Sequence, residues 1–468
     1  MSEAPYSSTL RTAVVLAGTG TAGAYHAGVL RALHEAGVRV DLVAGRGIGA
    51  LSAVFAAIDG GTRLWDTQGF WRREGVQTLY GWRPRLKAAG WALGAAAACL
   101  ALPVAVLLGI AAMYLVGWLL ALAGAASTSA TISGAAGRML AALFEPALLP
   151  TVVPRLAMLA VIVAVLILAG AAWNARRKRG RHEVTGWASL TAAPLDTQPV
   201  VLRATSAIWE LIRGAAPIAA PAPREISRKY AEMLAENVGQ PGFRELLIVA
   251  HDIDARRDLT FALLSEGHRI RFFGRRTARS EHTDAMIDLA GTGRDHALDA
   301  LAAALTLPLA SDPHVISFAP EAYWRGESHR MCDRPSGLAR LLEEAAAAGV
   351  EQVILVSAAP ALEGPHSLTP ARGDARGRGN ELLVAFETAA LRDAQAAAGL
   401  FPGGIFQVRP QHNPLGPLDF GGCYDARSDR HQSVSELIDR GYEDAYRQFI
   451  EPIVGATGEP VERTESRK

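Results

Sequence analysis

Val43-Ala44-Gly45-Arg46-Gly47-Ile48-Gly49-Ala50 decides how the rest of the chain is read. Val38 to Ala44 is a short apolar run with the look of a buried strand. Ala50 to Ile58 has the composition of a helix. Three glycines in five positions separate them, so the chain passes from strand to helix through one sharp turn. That is the layout of a G-x-S-x-G nucleophile elbow. The central residue of such an elbow is held in a strained backbone conformation, which costs an ordinary residue roughly 1–3 kcal/mol. Gly47 occupies that place, and glycine relieves the strain. The stretch therefore predicts an elbow without a nucleophilic side chain.

Upstream lies a second glycine turn, Gly18-Thr19-Gly20-Thr21-Ala22-Gly23. It follows an apolar strand, Thr12 to Leu16, and precedes a helical pattern, Ala24 to Ala36. Backbone N–H groups in such a turn point into a concavity suited to an anion or an oxyanion. The same residues also match the G-x-G-x-x-G dinucleotide fingerprint. That reading needs an acidic residue at the end of the second strand, and the available one, Asp41, sits mid-strand.

Downstream, Glu245 to Ala250 and Gln352 to Ser357 read as buried strands. Leu338 to Ala348 and Ser433 to Ile450 read as helices. Residues 364–380 read as a polar Gly/Pro/Arg loop, and 182–243 as helical in part. Alternating strands and helices predict an α/β fold with a mostly parallel sheet and helices on both faces.

Ala88 to Gly137 contains no charged residue. Within it, Val104 to Leu122 is almost wholly apolar, about the 20 residues a bilayer helix needs. Leu156 to Trp173 adds a second run of 18 residues without a polar side chain. Soluble core helices rarely run so long without polar positions. The expectation is a transmembrane hairpin at 88–181, with helices at about 98–122 and 153–174, inserted between domain parts 1–87 and 182–468. Arg83, Arg85 and Lys87 precede the hairpin, and Arg176, Arg177, Lys178, Arg179 and Arg181 follow it. The connecting loop carries only Arg138 and Arg155 as basic residues. Both outer ends are expected on the cytoplasmic side. Gly109, Gly117 and Ala121 offer small-residue contact for a homo-oligomer through the hairpin.

The net charge of +1 makes no case for a nucleic-acid partner. Cys99, Cys332 and Cys423 show no paired spacing, so neither a disulfide framework nor a zinc site is indicated. His412, Asp419, Asp425, Asp429 and His431 cluster in sequence, but turn-forming polar residues account for them. No metal and no cofactor are expected. The N-terminus lacks a basic stretch before an apolar run, so no cleavable signal is read. Four lysines among 47 basic residues, with abundant alanine, suggest a GC-rich bacterial genome and an inner-membrane address.

Taken together, Leu16 to Leu33 (LAGTGTAGAYHAGVLRAL) and the turn at Val43 to Ala50 resemble the patatin-like phospholipase family. Glu245 to Phe261 resembles that family's central strand and the turn after it. Met331-Cys332-Asp333-Arg334-Pro335 falls where the family carries its Asp-Gly-Gly or Asp-Gly-Ala motif. The resemblance implies a lipid acyl hydrolase with a serine–aspartate dyad. Its nucleophile position is Gly47, its base Asp333, and its oxyanion loop Gly18, Thr19, Gly20 and Gly23. Three departures follow. Gly47 cannot attack a substrate covalently. Ala22 replaces a basic loop residue. Arg334 and Pro335 replace small residues and are expected to crowd Asp333.

Ser52 lies in the helix after the elbow and is expected to face helix packing. Cys332 is expected to be a small buried residue. Arg46 is read as exposed at the elbow mouth, where it could bind a lipid phosphate. The implied function is a membrane-anchored lipid-binding or regulatory protein, impaired as an enzyme. Its partners are a membrane lipid or acyl chain and the bilayer. The alternative is an active phospholipase or lysophospholipase using another nucleophile or an activated water. A dinucleotide-binding protein is the third reading.

Overall fold

A computed structural model describes residues 6–145, 151–178, 193–274, 285–320, 322, 324–361 and 373–454. The chain divides into two compact units, Met1–Gly81 with Asp196–Lys468, and Trp82–Leu195.

The first unit opens with β1 (Thr12–Gly18), α1 (Ala22–Glu35), β2 (Leu42–Gly47), α2 (Ile48–Ala56) and a short α3 (Thr62–Trp65). The second unit holds α4 (Pro84–Leu122), α5 (Ala126–Leu143) and α6 (Val152–Lys178). The first unit resumes with α7 (Gln198–Arg213), α8 (Pro223–Asn237), β3 (Glu245–Asp252), β4 (Arg257–Leu263) and α9 (Glu266–Gly274). Next come β5 (Met286–Asp288), α10 (Ala297–Ala304), β6 (His314–Ser317), β7 (Ser328–Cys332), α11 (Gly337–Ala347) and β8 (Gln352–Ser357). It ends with α12 (Ala375–Gln395), β9 (Ile405–Val408), β10 (Cys423–Asp425), β11 (Arg430–Gln432) and α13 (Val434–Ala445). Where composition suggests a loop up to residue 380, the chain is helical from Ala375, and Asp374 caps α12 by accepting from the Gly377 N–H at 2.8 Å. Residues 364–372 of that expected loop, and Arg179 and Arg181, lie outside the described residues.

Among the described residues nine strands form one sheet, with the path β5-β4-β3-β2-β1-β8-β9, β7 joined to β3 and β6 to β7. The centre is parallel: β1 pairs with β2 and β8, β2 with β3, and β8 with β9. Antiparallel pairs occur where β3 meets β4 and β7. β1 is buried along its whole length, as TAVVLAG in a sheet covered on both faces should be. One face buries Ala13, Val15, Leu42 and Ala44 against Leu338, Leu341 and Leu342 of α11 and Leu391 of α12. α2 packs against β1 and β2, and α1 against α2 and α13. The result is an α/β fold with a mostly parallel centre and helices on both faces.

In the second unit α4 runs for 39 residues, and α4 and α6 are both long and apolar enough to cross a membrane. Between them, where the sequence suggested only a connecting loop, α5 packs back against α4. A Cβ on Gly117 would lie 2.6 Å from Ser133 Oγ, and one on Gly137 would lie 3.3 Å from the Tyr114 hydroxyl. Ile110, Ala136 and Leu143 share one small core. This pairing runs antiparallel.

Candidate functional site

Parallel pairing sets β1 and β2 in register, with Gly18 opposite Gly47. Both glycine turns therefore leave the same end of neighbouring strands. Open α/β sheets bind ligands at the carboxyl ends of their strands.

The elbow keeps its backbone shape. Gly47 has φ 57° and ψ −135°, a conformation L side chains rarely adopt. Its two flanking glycines serve close packing. A Cβ on Gly49 would lie 1.9 Å from the Leu16 carbonyl oxygen, and one on Gly45 would lie 2.3 Å from that of Gly49. At Gly47 itself a Cβ would sit 2.9 Å from Asp333 Oδ2, but also 2.3 Å from the Gly18 carbonyl oxygen. Asp333 thus points at the place a nucleophile would occupy, while the Gly18 backbone fills it.

Asp333 follows β7, its N–H donating to the Thr306 carbonyl at 2.8 Å. It is 2% exposed. Its carboxylate accepts from Arg46 Nη1 through both oxygens, at 3.1 and 2.9 Å. Arg46 Nη2 also pairs with Glu387 of α12. The Thr19 hydroxyl donates to the other Glu387 oxygen at 3.0 Å. Arg46 is fully buried, which corrects the expectation of an exposed arginine at the elbow mouth. Its guanidinium is engaged by two carboxylates whose combined charge exceeds its own, so the cluster repels an external anion. Burial acts against the Arg46 cation, but Asp333 and Glu387 outweigh it and hold it charged. Burial pushes Asp333 up to about 6, with Arg46 pulling it down and Glu387 pushing it up. One cation shared by two buried carboxylates leaves the triad favouring an extra proton.

The glycine loop is capped from within the chain. The Thr21 N–H donates to the Pro417 carbonyl at 2.9 Å, and its hydroxyl to that of Gly416 at 2.9 Å. Asn380 of α12 holds this capping turn, accepting from the Leu418 N–H at 2.7 Å and donating to Asp419 at 2.9 Å. Phe420 stacks on the buried ring of Tyr80, centroids 5.4 Å apart. A Cβ on Gly23 would lie 2.2 Å from the Trp71 ring, so bulk at that position is excluded.

Other predicted residues separate from the triad. Arg334 does not crowd Asp333: its charged end stays hydrated and turns to Ser336, at 2.6 Å, and Asp258, at 3.6 Å. Ser52 is buried, its Oγ 3.4 Å from His26 Nδ1. His26 Nε2 lies 3.1 Å from the Ala17 carbonyl, which can only accept, so Nε2 carries the proton and Nδ1 receives the Ser52 hydroxyl. Burial pushes His26 down to about 3, keeping it neutral. Burial, then the Asp333 charge, pushes the Cys332 thiol up to about 12. Asp41 accepts from the Thr12 N–H at 2.9 Å, at the opposite end of β1 from the glycine turn, where it cannot serve a dinucleotide there. His412 pairs with Asp425 at 3.0 Å, whereas Asp419 staples the capping turn and Asp429 pairs with Tyr424. Among the described residues no group of three or more His, Cys, Asp or Glu side chains could hold a metal.

Glu387 and the capping turn escaped the sequence reading. The available signal was a charged residue on the buried stripe that α12 forms with Ala390, Leu391 and Ala394.

A family model for patatin-like phospholipase matches residues 14–183. No curated protein matches the chain. Among solved structures, the crystal structure of VipD from Legionella pneumophila aligns at 10% identity and a TM-score of 0.26. That alignment covers 94% of this chain and 66% of VipD, just under two thirds of its length. So low a score carries no argument about the site. The family match spans the glycine loop and the elbow, while Asp333 and Glu387 lie beyond it and stand on geometry. Over residues 14–183 the chain is similar to the patatin-like phospholipase family.

Proposed function

We propose that this is a membrane-anchored, patatin-like protein that binds lipid or acyl chains and whose hydrolase chemistry is silenced. One observation carries the reading. The nucleophile position is a glycine whose missing side chain would collide with the Gly18 carbonyl, while the candidate base is tied to Arg46 through both oxygens. Removing the nucleophile from a triad enzyme leaves only about 10³–10⁴-fold acceleration from the oxyanion hole and binding. α4 and α6 support anchoring by length and composition. An anchored domain can take its ligand from the bilayer directly.

The test is ester hydrolysis by the full chain in nanodiscs, against phospholipids, lysolipids and acylglycerols. Wild type is expected to be inert while retaining a pyrene-labelled fatty acid. Turnover that disappears in Asp333→Ala overturns the silenced reading.

One observation favours the alternative, an active acyl hydrolase. A carboxyl raised to about 6 is poised to act as a base near neutral pH. Activation of a water by Asp333 requires Arg46 to release it first. This reading therefore expects turnover only in conditions that open the triad.

A further inference from the structure

α12 has two unlike faces. Its inner stripe, Gly377, Asn380, Glu387, Ala390, Leu391 and Ala394, is buried. Its outer stripe runs Arg378, Leu382, Ala385, Phe386, Ala389, Arg392 and is exposed. Leu382 is 53% exposed and Phe386, one turn further on, 50%. The two bracketing arginines are separated by about 21 Å along the axis at 1.5 Å per residue. Glu381 and Asp393 lie beside the strip, so its cationic character is confined to the two arginine ends.

We propose that this outer face docks on an anionic lipid bilayer, and that the inner face of the same helix relays the contact to the elbow. An apolar strip closed at each end by arginine matches the headgroup boundary. Leu382 and Phe386 enter the acyl region, and the arginine stems lie along it with their guanidinium groups among phosphates. A protein partner fits less well. Two large apolar side chains fall short of the roughly 800 Å² per side that a stable protein interface buries.

The relay is built from the inner contacts. Asn380 holds the turn whose Pro417 carbonyl caps the glycine loop. Glu387 holds Arg46 and Thr19. Movement of α12 toward a bilayer loosens both at once, baring the glycine loop and leaving Arg46 to Asp333 alone. The inference rests on the proposed lipid-binding function for its setting and deepens it with a surface and a route.

The test places bimane at Leu382→Cys, and at Glu343→Cys, an exposed position on α11, as a reference, in the full chain carrying Cys99→Ala and Cys423→Ala. The proteins are placed in phosphatidylcholine nanodiscs with and without phosphatidylglycerol, containing doxyl-labelled lipid. Quenching at 382 is expected to exceed that at 343 by about twofold or more, and to rise with phosphatidylglycerol. Equal quenching at the two positions in both lipids overturns the docking surface. Pyrene-labelled fatty acid binding, measured on the same nanodiscs, separates the two proposals. Its loss with quenching at 382 intact overturns the lipid-binding function alone. Its persistence with equal quenching overturns the docking surface alone.

Discussion

At the scale of single residues, Arg46 is the cation on which the site balances. Arg46→Met leaves Asp333 and Glu387 buried without a counter-charge and is expected to cost about 3–5 kcal/mol, read from urea unfolding. Glu387→Gln keeps the Arg46–Asp333 pair and should cost clearly less. Gly47→Ala must place a side chain at φ 57° against the Gly18 carbonyl, so a loss of at least about 1–3 kcal/mol is expected. Gly47→Ser meets the same collision and should not restore turnover by itself.

Asp333 also sets a pH dependence. Its folded pKa, about 6, lies above its ordinary value of 3.8, so the folded protein holds this proton more tightly than the unfolded chain. The contribution is fully present below pH 4 and is lost as pH rises through 6. Wild type should therefore lose stability relative to Asp333→Asn between pH 4 and pH 7, measured by urea midpoints. A flat difference over that window would refute the shift. Gly47 and Asp333 were legible in sequence because turn glycines and a family-placed aspartate are local signals. The burial of Arg46 was not legible, since it depends on Glu387, 341 residues away.

At the scale of elements, the strands and helices around the elbow followed from apolar runs punctuated by glycine. α5 did not. Ala126 to Leu143 is rich in Ser and Thr, which favour turns and caps over helix interiors. The helix forms because small residues let it approach α4 closely, and the Thr131 hydroxyl is satisfied on the Ser127 carbonyl at 3.0 Å. The geometry makes a direct prediction. A Cβ on Gly117 would lie 3.8 Å from Ser133 Cβ, the mean spacing of a disulfide, about 3.8 Å. Gly117→Cys with Ser133→Cys should cross-link on mild oxidation, giving a faster-migrating band that reductant removes. Gly109→Cys with Ser133→Cys should not, because Gly109 lies two turns from Gly117 along α4.

At the scale of the whole molecule, the two units divide at Trp82 and Leu195, six residues before and fourteen after the hairpin bounds of 88–181 expected from composition. α4 covers about 58 Å at 1.5 Å per residue, nearly twice a hydrocarbon core of about 30 Å. If α4 and α6 hold the chain in a bilayer, alkaline carbonate should leave all of it in the membrane pellet. Release into the supernatant would refute anchoring.

The place of α4, α5 and α6 in the chain also sets a timetable for synthesis. β2 ends at Gly47, yet its partner β3 begins at Glu245, and the other neighbour of β1, β8, begins at Gln352. At about 5–20 residues per second, β1 and β2 wait roughly 15–60 s for the strand that closes β1's other side. Until β3 is made, a two-strand fragment has both edges open, and the β1 edge stays open to the end of that interval; such edges invite pairing with foreign chains. α4, α5 and α6 emerge while it waits. The nascent N-terminal segment of this chain is thus a natural client for a chaperone at the ribosome.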